Sequence, residues 1–562
     1  MKPIHLHRCL SVLLGVLLCL LPLALAACGG AAPGPATGDG ATATEPAATP
    51  DTAATPDTPS AAATAPADKS VTVGLTTGPV HTIPVEYIDD VTTWVTQILY
   101  LPLMAQDDDG TYQPQLASSV ESTDYKTFTV RLNPDAAWTD GTPVTADDVV
   151  FTMDVIANPQ TKSVLASFIT ILEGVDEAGL IADGSGHVAG VQKVDDRTVT
   201  FTTKDIMGMD IFNDILSRRL SPIPKHIFAD AALDTILQSP EFTRPTVTNG
   251  PYKLVSFDRG ASAEFVANEA YFLGAPKIGK LNLKVVEGAN LTAELQSGAI
   301  DMNSPYGSIP TTDYELIKSL DGITAAEGKM INMRYLYINN EVVADARVRQ
   351  AMSLAIDREQ IIASCFPGYG ETTVMPFPND FPYLNQAVAQ PAYDPDEARR
   401  LVAEAGWDGG QALRLTSYNL PEVAQIIAQN LTAAGIPTEV DEVDWGTLSD
   451  KLFSAQYDLV LIGDTFTVTN TVSNLLFLYA DGSNYNNYHN GELAALVNQI
   501  PTLTGEAEIA DNYNKIQEMA ALEVPSPSLY CTSRLLAASD RVISGGPKTF
   551  GMFLDAHNWD VR

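Results

Sequence analysis

The chain has 562 residues, with 69 acidic side chains against 33 Lys and Arg, a formal net charge of −36 and a pI near 4.3. Such an acidic surface argues against nucleic-acid binding and against adsorption to anionic lipid, both of which need basic faces. Its length exceeds what one compact core organises, so the folded part divides into two or three lobes.

Lys2 and Arg8 make a short basic leader, and residues 10–27 form an apolar run interrupted by Pro22. That run is marginal for a spanning helix and typical of a secretory signal peptide over residues 1–27. Leu25-Ala26-Ala27-Cys28 resembles the bacterial lipobox. The resemblance implies that Cys28 is lipidated and becomes the N-terminus; the plainer alternative is an ordinary signal cut near Ala27. From there to residue 68 the chain is almost entirely Ala, Thr, Pro, Gly and Asp, without an aliphatic or aromatic side chain large enough to build a core. Such a segment cannot offset its own ordering entropy and reads as a Pro-punctuated tether. Of the five cysteines, Cys9 and Cys19 leave with the signal, which leaves Cys365 and Cys531 in the folded part. A disulfide between them is permitted outside the cytoplasm, but the expectation is two small buried thiols.

In chain order, residues 70–75 alternate as a strand and a helix is expected from about Thr92. In Pro114 to Ala157, Phe128, Val130 and Leu132 alternate with Thr129 and Arg131, a half-buried strand. Asn133-Pro134 ends it, and Asp140-Gly141 with Pro143 turns the chain. Thr145, followed by Asp147 and Asp148, opens an apolar helix. Further strands are read at 198–203, 253–258, 261–267 and 281–286, the second and third as a hairpin. The segment Ala293 to Asp301 is a helix closed by Gly298. Residues 335–339 form a strand, 345–362 an amphipathic helix broken near Asp357, and 393–407 a capped helix ending in glycine. A βαβ-like tail has strands at 413–418, 438–443 and 457–462 around a helix at 422–434.

The order Pro-x-Leu-Ala-x-Ser from Pro114, Phe128-Thr-x-Arg-Leu132 and Trp138-x-Asp-Gly-Thr-Pro-Val-Thr-Ala-Asp-Asp-Val-Val-Phe-Thr152 resembles the dipeptide and oligopeptide (family 5) class of extracellular solute-binding proteins of ABC transporters. Asn249-Gly-Pro-Tyr252, Ala293 to Asp301, Asp345 to Ile362 and Tyr393 to Trp407 continue the resemblance, which covers the chain from about Lys69 to Val561 and is weakest at 160–195 and 464–490. It implies an α/β, two-lobed periplasmic-binding-protein-like fold of cluster C type, with an extra α+β subdomain inserted in the first lobe. On that basis lobe I is expected over 69–98, 222–330 and 530–562, the insert over 99–221 and lobe II over 331–529. Chain crossings are expected near Met333 and Tyr530, and closure by hinge bending. The implied protein is a monomer held outside the cytoplasm by its lipid anchor, capturing an oligopeptide or oligosaccharide for an ABC permease and ATPase complex. No cofactor is implied.

The residues themselves carry no catalytic set. Gly274 to Leu281 approaches a phosphate-binding loop, but Pro276 interrupts it and Leu281 replaces the metal-binding hydroxyl. There is no Gly-x-Ser-x-Gly elbow, zinc helix or calcium loop. Adjacent acids such as Asp147-Asp148 read as helix cap and solvated loop. In peptide-binding relatives an extended ligand pairs with a second-lobe strand, and an Asp in the following loop meets its ammonium. Here that strand carries Gly463, Asp464, Thr465 and Phe466, and its loop carries Asn470. The family's Trp-x-x-Asp-x-x-Asp-Pro pattern is absent and Asp464 lies a few positions early, which opens the choice between a peptide and a neutral sugar. Aromatic candidates for the same cleft are Tyr87, Trp94, Trp445 and Tyr485, the last with Asn486. A signalling or chaperone-like surface protein and an extracellular hydrolase are the alternatives from other classes.

Overall fold

The computed structural model describes residues 68–86, 90–108, 110–181, 184–305, 308–373, 375–388, 393–466, 471–480 and 485–562, all within the compact body Ala62–Arg562. Cys28, Tyr87 and Asn470 therefore lie outside the described residues. Strand β1 (Ser70–Leu75) leads to helix α1 (Asp90–Leu99). Strands β2 (Ala117–Glu121) and β3 (Thr127–Leu132), helix α2 (Ala146–Ala157), and strands β4 (Val191–Asp195) and β5 (Thr198–Thr202) follow. These four strands make a separate antiparallel sheet in the order β2-β3-β5-β4. Thr145 precedes α2 as expected, and the buried Asp148 holds the unit together. Its carboxylate accepts from the Thr145 amide at 2.8 Å and from the Lys225 amide at 2.8 Å.

The chain then builds one eleven-stranded sheet. Strands β6 (Tyr252–Asp258), β7 (Ser262–Ala267) and β8 (Lys280–Val285) come first, then helix α3 (Leu291–Ser297) ended by Gly298 at positive φ, and the short β9 (Met302–Asn303). Gly274 to Lys280 feeds directly into β8, so it is a turn into a strand and not the strand-to-helix turn of a phosphate loop. Strand β10 (Ile323–Ile338) is followed by α4 (Ala346–Ala355) and α5 (Arg358–Cys365), capped by Asp345 and Asp357, then α6 (Pro395–Glu404). The tail holds β11 (Leu413–Ser417), α7 (Pro421–Ala433), β12 (Thr438–Glu442), α8 (Trp445–Phe453), β13 (Leu459–Thr465), α9 (Thr471–Tyr479), α10 (Glu506–Glu523) and β14 (Ser528–Ser539). The strand order is β12-β11-β13-β10-β14-β9-β1-β8-β7-β6, with Gly370–Thr372 pairing on β14.

The fold is the two-lobed α/β architecture, and β10 and β14 are paired in the middle of the large sheet, with several cores along them. Leu336 and Ile338 sit in one core with Leu459 and Leu461, while Met333, Tyr335 and Tyr337 sit in another with Val460 and Phe466. Both faces of this part of the sheet are covered, as alternation along paired strands requires. The other end of the sheet packs with the four-stranded sheet in a shared core that includes Val71, Leu281, Phe128 and Phe201. A smaller core lies around α3 and Leu535.

Strand β10 is much longer than the segment 335–339 expected. Its first half, Ile323 to Lys329, carries Glu327, Gly328 and Lys329 and has no fully buried residue, so apolar alternation marks it weakly; pairing with β14 makes it a strand. The β10–β14 ladder shifts register between Glu327 and Met330, between Met330 and Asn332, and between Arg334 and Tyr335. Bulges there twist and bend the ribbon where it passes between the cores. Cys365 and Cys531 are free thiols, Cys531 fully buried, so the alternative of a disulfide is not realised. Among the described residues no helix is long and apolar enough to cross a membrane.

Candidate ligand-binding cleft

The end of β13 is the point from which the site is built. Antiparallel pairing with β10 sets Asp464 opposite Met333 and Gly463 opposite Arg334, and directly opposed residues share a face of the sheet. Asp464 therefore looks to the side of Met333, Tyr335 and Phe466, whereas Gly463 and Thr465 look to the side of Arg334 and Asn332. A cavity opens on each side. The one of about 510 Å³ is walled by Trp94, Gln97 and Phe553 and by Asp464, Asn474 and Phe477. The one of about 1240 Å³ lies across the sheet, against Asn332, Arg334 and Arg534.

Asp464 is partly buried, and its carboxylate is in no hydrogen bond or ion pair with a described residue. Burial raises its pKa above the ordinary carboxylate range, and the charge of Arg334 opposes that shift. Its negative charge in turn helps hold the phenols of Tyr335, Tyr337 and Tyr485 protonated, second to their own burial. A carboxylate desolvated in this way is stabilised by a cation brought to it. Nearby, Asn474 is 5% exposed and its amide nitrogen has no hydrogen-bond partner, so the wall also offers a donor.

The opposite wall is cationic. A π-helical turn, Asn213–Ser217, delivers Arg218 and Arg219 to the cavity. π-turns recur at functional sites because they re-aim side chains. Buried Asp214 holds the pair: Arg218 Nε donates to it at 2.7 Å and the Tyr112 hydroxyl at 3.2 Å, and the two guanidinium charges keep its carboxyl below the usual range despite burial. The Arg219 guanidinium lies 4.6 Å over the Phe168 ring, a cation–π contact.

Of the residues expected in the site, Trp94, Gly463, Asp464 and Thr465 do line these cavities, and Trp94 packs edge-on against Phe553 with ring centres 5.9 Å apart. The others go elsewhere. Phe466 is 2% exposed among Phe377 and Phe381, because it falls on the core face one position past the strand's end. Trp445 is 55% exposed at the start of α8, against Tyr418 and away from both cavities. Tyr485 stacks behind Phe477, a second layer from the cavity. Asn486 is fully buried: its amide donates to the Leu478 carbonyl at 3.0 Å and to Ser526 Oγ at 2.8 Å, and its side-chain oxygen accepts from the Tyr488 amide. Those bonds use its polar capacity on the fold. The sequence reading missed Asn474, Phe477, Phe553 and the arginines. The only local signal was the Arg218-Arg219 pair in an acidic chain.

The model of the bacterial extracellular solute-binding proteins, family 5, matches residues 111–487. The chain belongs to this family. Among its family 5 relatives, the oligopeptide-binding protein AppA of Bacillus subtilis is 25% identical over 486 residues, covering 81% of this chain and 84% of that protein. Two solved structures share the fold. The substrate-binding protein CtaP of Listeria monocytogenes superposes with a TM-score of 0.75 at 26% identity, over 88% of this chain and 99% of its own. AppA in complex with a nonapeptide superposes with a TM-score of 0.70 at 22% identity, over 88% and 99%.

Proposed function

We propose that this protein is the substrate-binding component of an ABC importer, capturing a peptide or similar extended solute between its lobes and passing it unchanged to a membrane permease. The observation that carries the reading is Asp464, a desolvated carboxylate without a hydrogen bond or ion pair among the described residues, lining the cavity of about 510 Å³. A ligand ammonium supplies the missing cation, and Asn474 offers a donor to a ligand carbonyl. A volume of about 510 Å³ lies in the usual range for small-ligand sites, roughly 300–1,000 Å³, and suits a short peptide. The peptide-binding relatives support the same class.

Closure by bending of the bulged β10–β14 ribbon follows from its form: two strands passing between the cores allow bending and resist twisting. The division proposed is lobe I over 69–98, 222–330 and 530–562, the insert over 99–221 and lobe II over 331–529; lobe I and the insert share one core, Tyr530 and Cys531 pack into the cores of lobe II, and Tyr369 packs with Tyr314 across the division. Lipidation at Cys28 anchors a monomer at the cell envelope, with the tether giving it reach. The reading involves no catalysis.

Thermal-shift screening of peptide and oligosaccharide pools tests the function. Stabilisation by peptides, lost when their N-termini are acetylated, is the expected result. Stabilisation by sugars alone would replace the peptide with an oligosaccharide, and no shift in either pool would defeat the reading.

A further inference from the structure

The larger cavity lies across the sheet from Asp464, and positive features from four separate elements meet in it. Arg334 comes from β10 and Arg534 from β14, the two strands paired in the middle of the large sheet. Gly463, opposite Arg334, makes room for it: a Cβ there would overlap the Arg334 side chain and the Met333 carbonyl. Laid across that glycine, Arg334 donates to the Met333 carbonyl at 3.0 Å and is in no ion pair with a described carboxylate. Arg534 donates to Thr465 Oγ1 at 2.8 Å. The remaining two features are helix starts. The helix Thr311–Lys318 begins after Pro310 and α7 begins after Leu420; neither start is capped by a side chain, and both line the cavity. Uncapped first-turn amides and the helix dipole both favour an anion.

Among the described residues the acids of this lining are Glu422 and Asp464, and the register sets Asp464 on the face opposite Arg334. In a chain with 69 acids against 33 bases, an arginine without a carboxylate, walled beside a second one, is out of keeping with the composition. We propose that the larger cavity is a second ligand site, distinct from the cleft at Asp464, which takes a small oxyanion, carboxylate or phosphate, between Arg334, Arg534 and the two helix starts. The chemistry is that of charge-assisted hydrogen bonds to planar guanidinium forks. The site draws on both lobes, which touch at its edge where Thr311 Oγ1 donates to the Cys365 carbonyl at 3.1 Å. Its occupant is therefore linked to the lobes' relative placement, and anion and cleft ligand influence each other's affinity reciprocally.

Calorimetric titration of the full-length protein with inorganic phosphate and with citrate, at constant ionic strength, tests the site. Saturable binding of one or both is expected, and which of them binds identifies the source of the oxyanion. Arg334→Gln and Arg534→Gln should each weaken it by about tenfold or more, the scale of one hydrogen bond to a charged group, with Arg334→Lys less affected than Arg334→Gln. No saturable heat with either anion in the wild-type protein, or equal affinity in both glutamine variants, would overturn the proposal.

Discussion

At the scale of single residues, the burial of Asp464 and its proposed role in binding act on one substitution with opposite signs. Burial raises its pKa, so the folded state holds the proton more tightly than the unfolded chain does. Stability is then lost as pH rises from the ordinary carboxylate value through the raised one. Asp464→Asn should therefore melt higher than the wild type at neutral pH without ligand. The gain should vanish below about pH 4, where the carboxylate is protonated in both states. The same variant should bind a free-amine peptide roughly ten- to a hundredfold more weakly, which calorimetry would show. An unliganded melting temperature lower than wild type at neutral pH would remove the desolvation argument. The two exposed-or-buried tryptophans give a contrast of position. Trp445→Ala should leave peptide affinity unchanged, since the ring is outside both cavities, whereas Trp94→Ala should reduce it.

At the scale of elements, the strand–turn–helix unit from β3 to α2 was legible because its signals are local: alternation, an Asp-Gly turn, and a hydroxyl before two acids. Its long-range purpose was not. Asp148 serves the start of α2 and also the amide of Lys225, far along the chain, and Trp138 Nε1 approaches it at 3.5 Å. Asp148→Ala would leave two part-buried amides unpaired and should destabilise by about 1–3 kcal/mol, read as a lower denaturant midpoint at unchanged slope. Asp148→Asn, which keeps an acceptor, should lose less. Asn486→Ala belongs to the same class: about 1–3 kcal/mol of stability, with ligand preference unchanged in the folded fraction.

For the molecule as a whole, the proposed closure places the bend in the β10–β14 ribbon, whose register shifts mark where it is irregular. Solution scattering should show a smaller radius of gyration on adding a peptide that stabilises the protein. An unchanged radius at saturating ligand would argue for a cleft that binds without bending.

The sequence by itself determined the acidic character and most of the strands and helices, and, through motifs that resemble family 5, the two-lobed α/β fold. Those features rest on local periodicity, turn chemistry and short motifs, which neighbouring residues specify. Only the tertiary structure decided which way each residue of β13 looks. A strand's alternation separates Asp464 from Gly463 and Thr465, but the sides acquire meaning only when β10 is the partner and different cores cover the two faces. The same holds for Asn474, Phe553, Arg334 and Arg534. Elements far apart in the chain bring them together, and no spacing within the sequence records that approach.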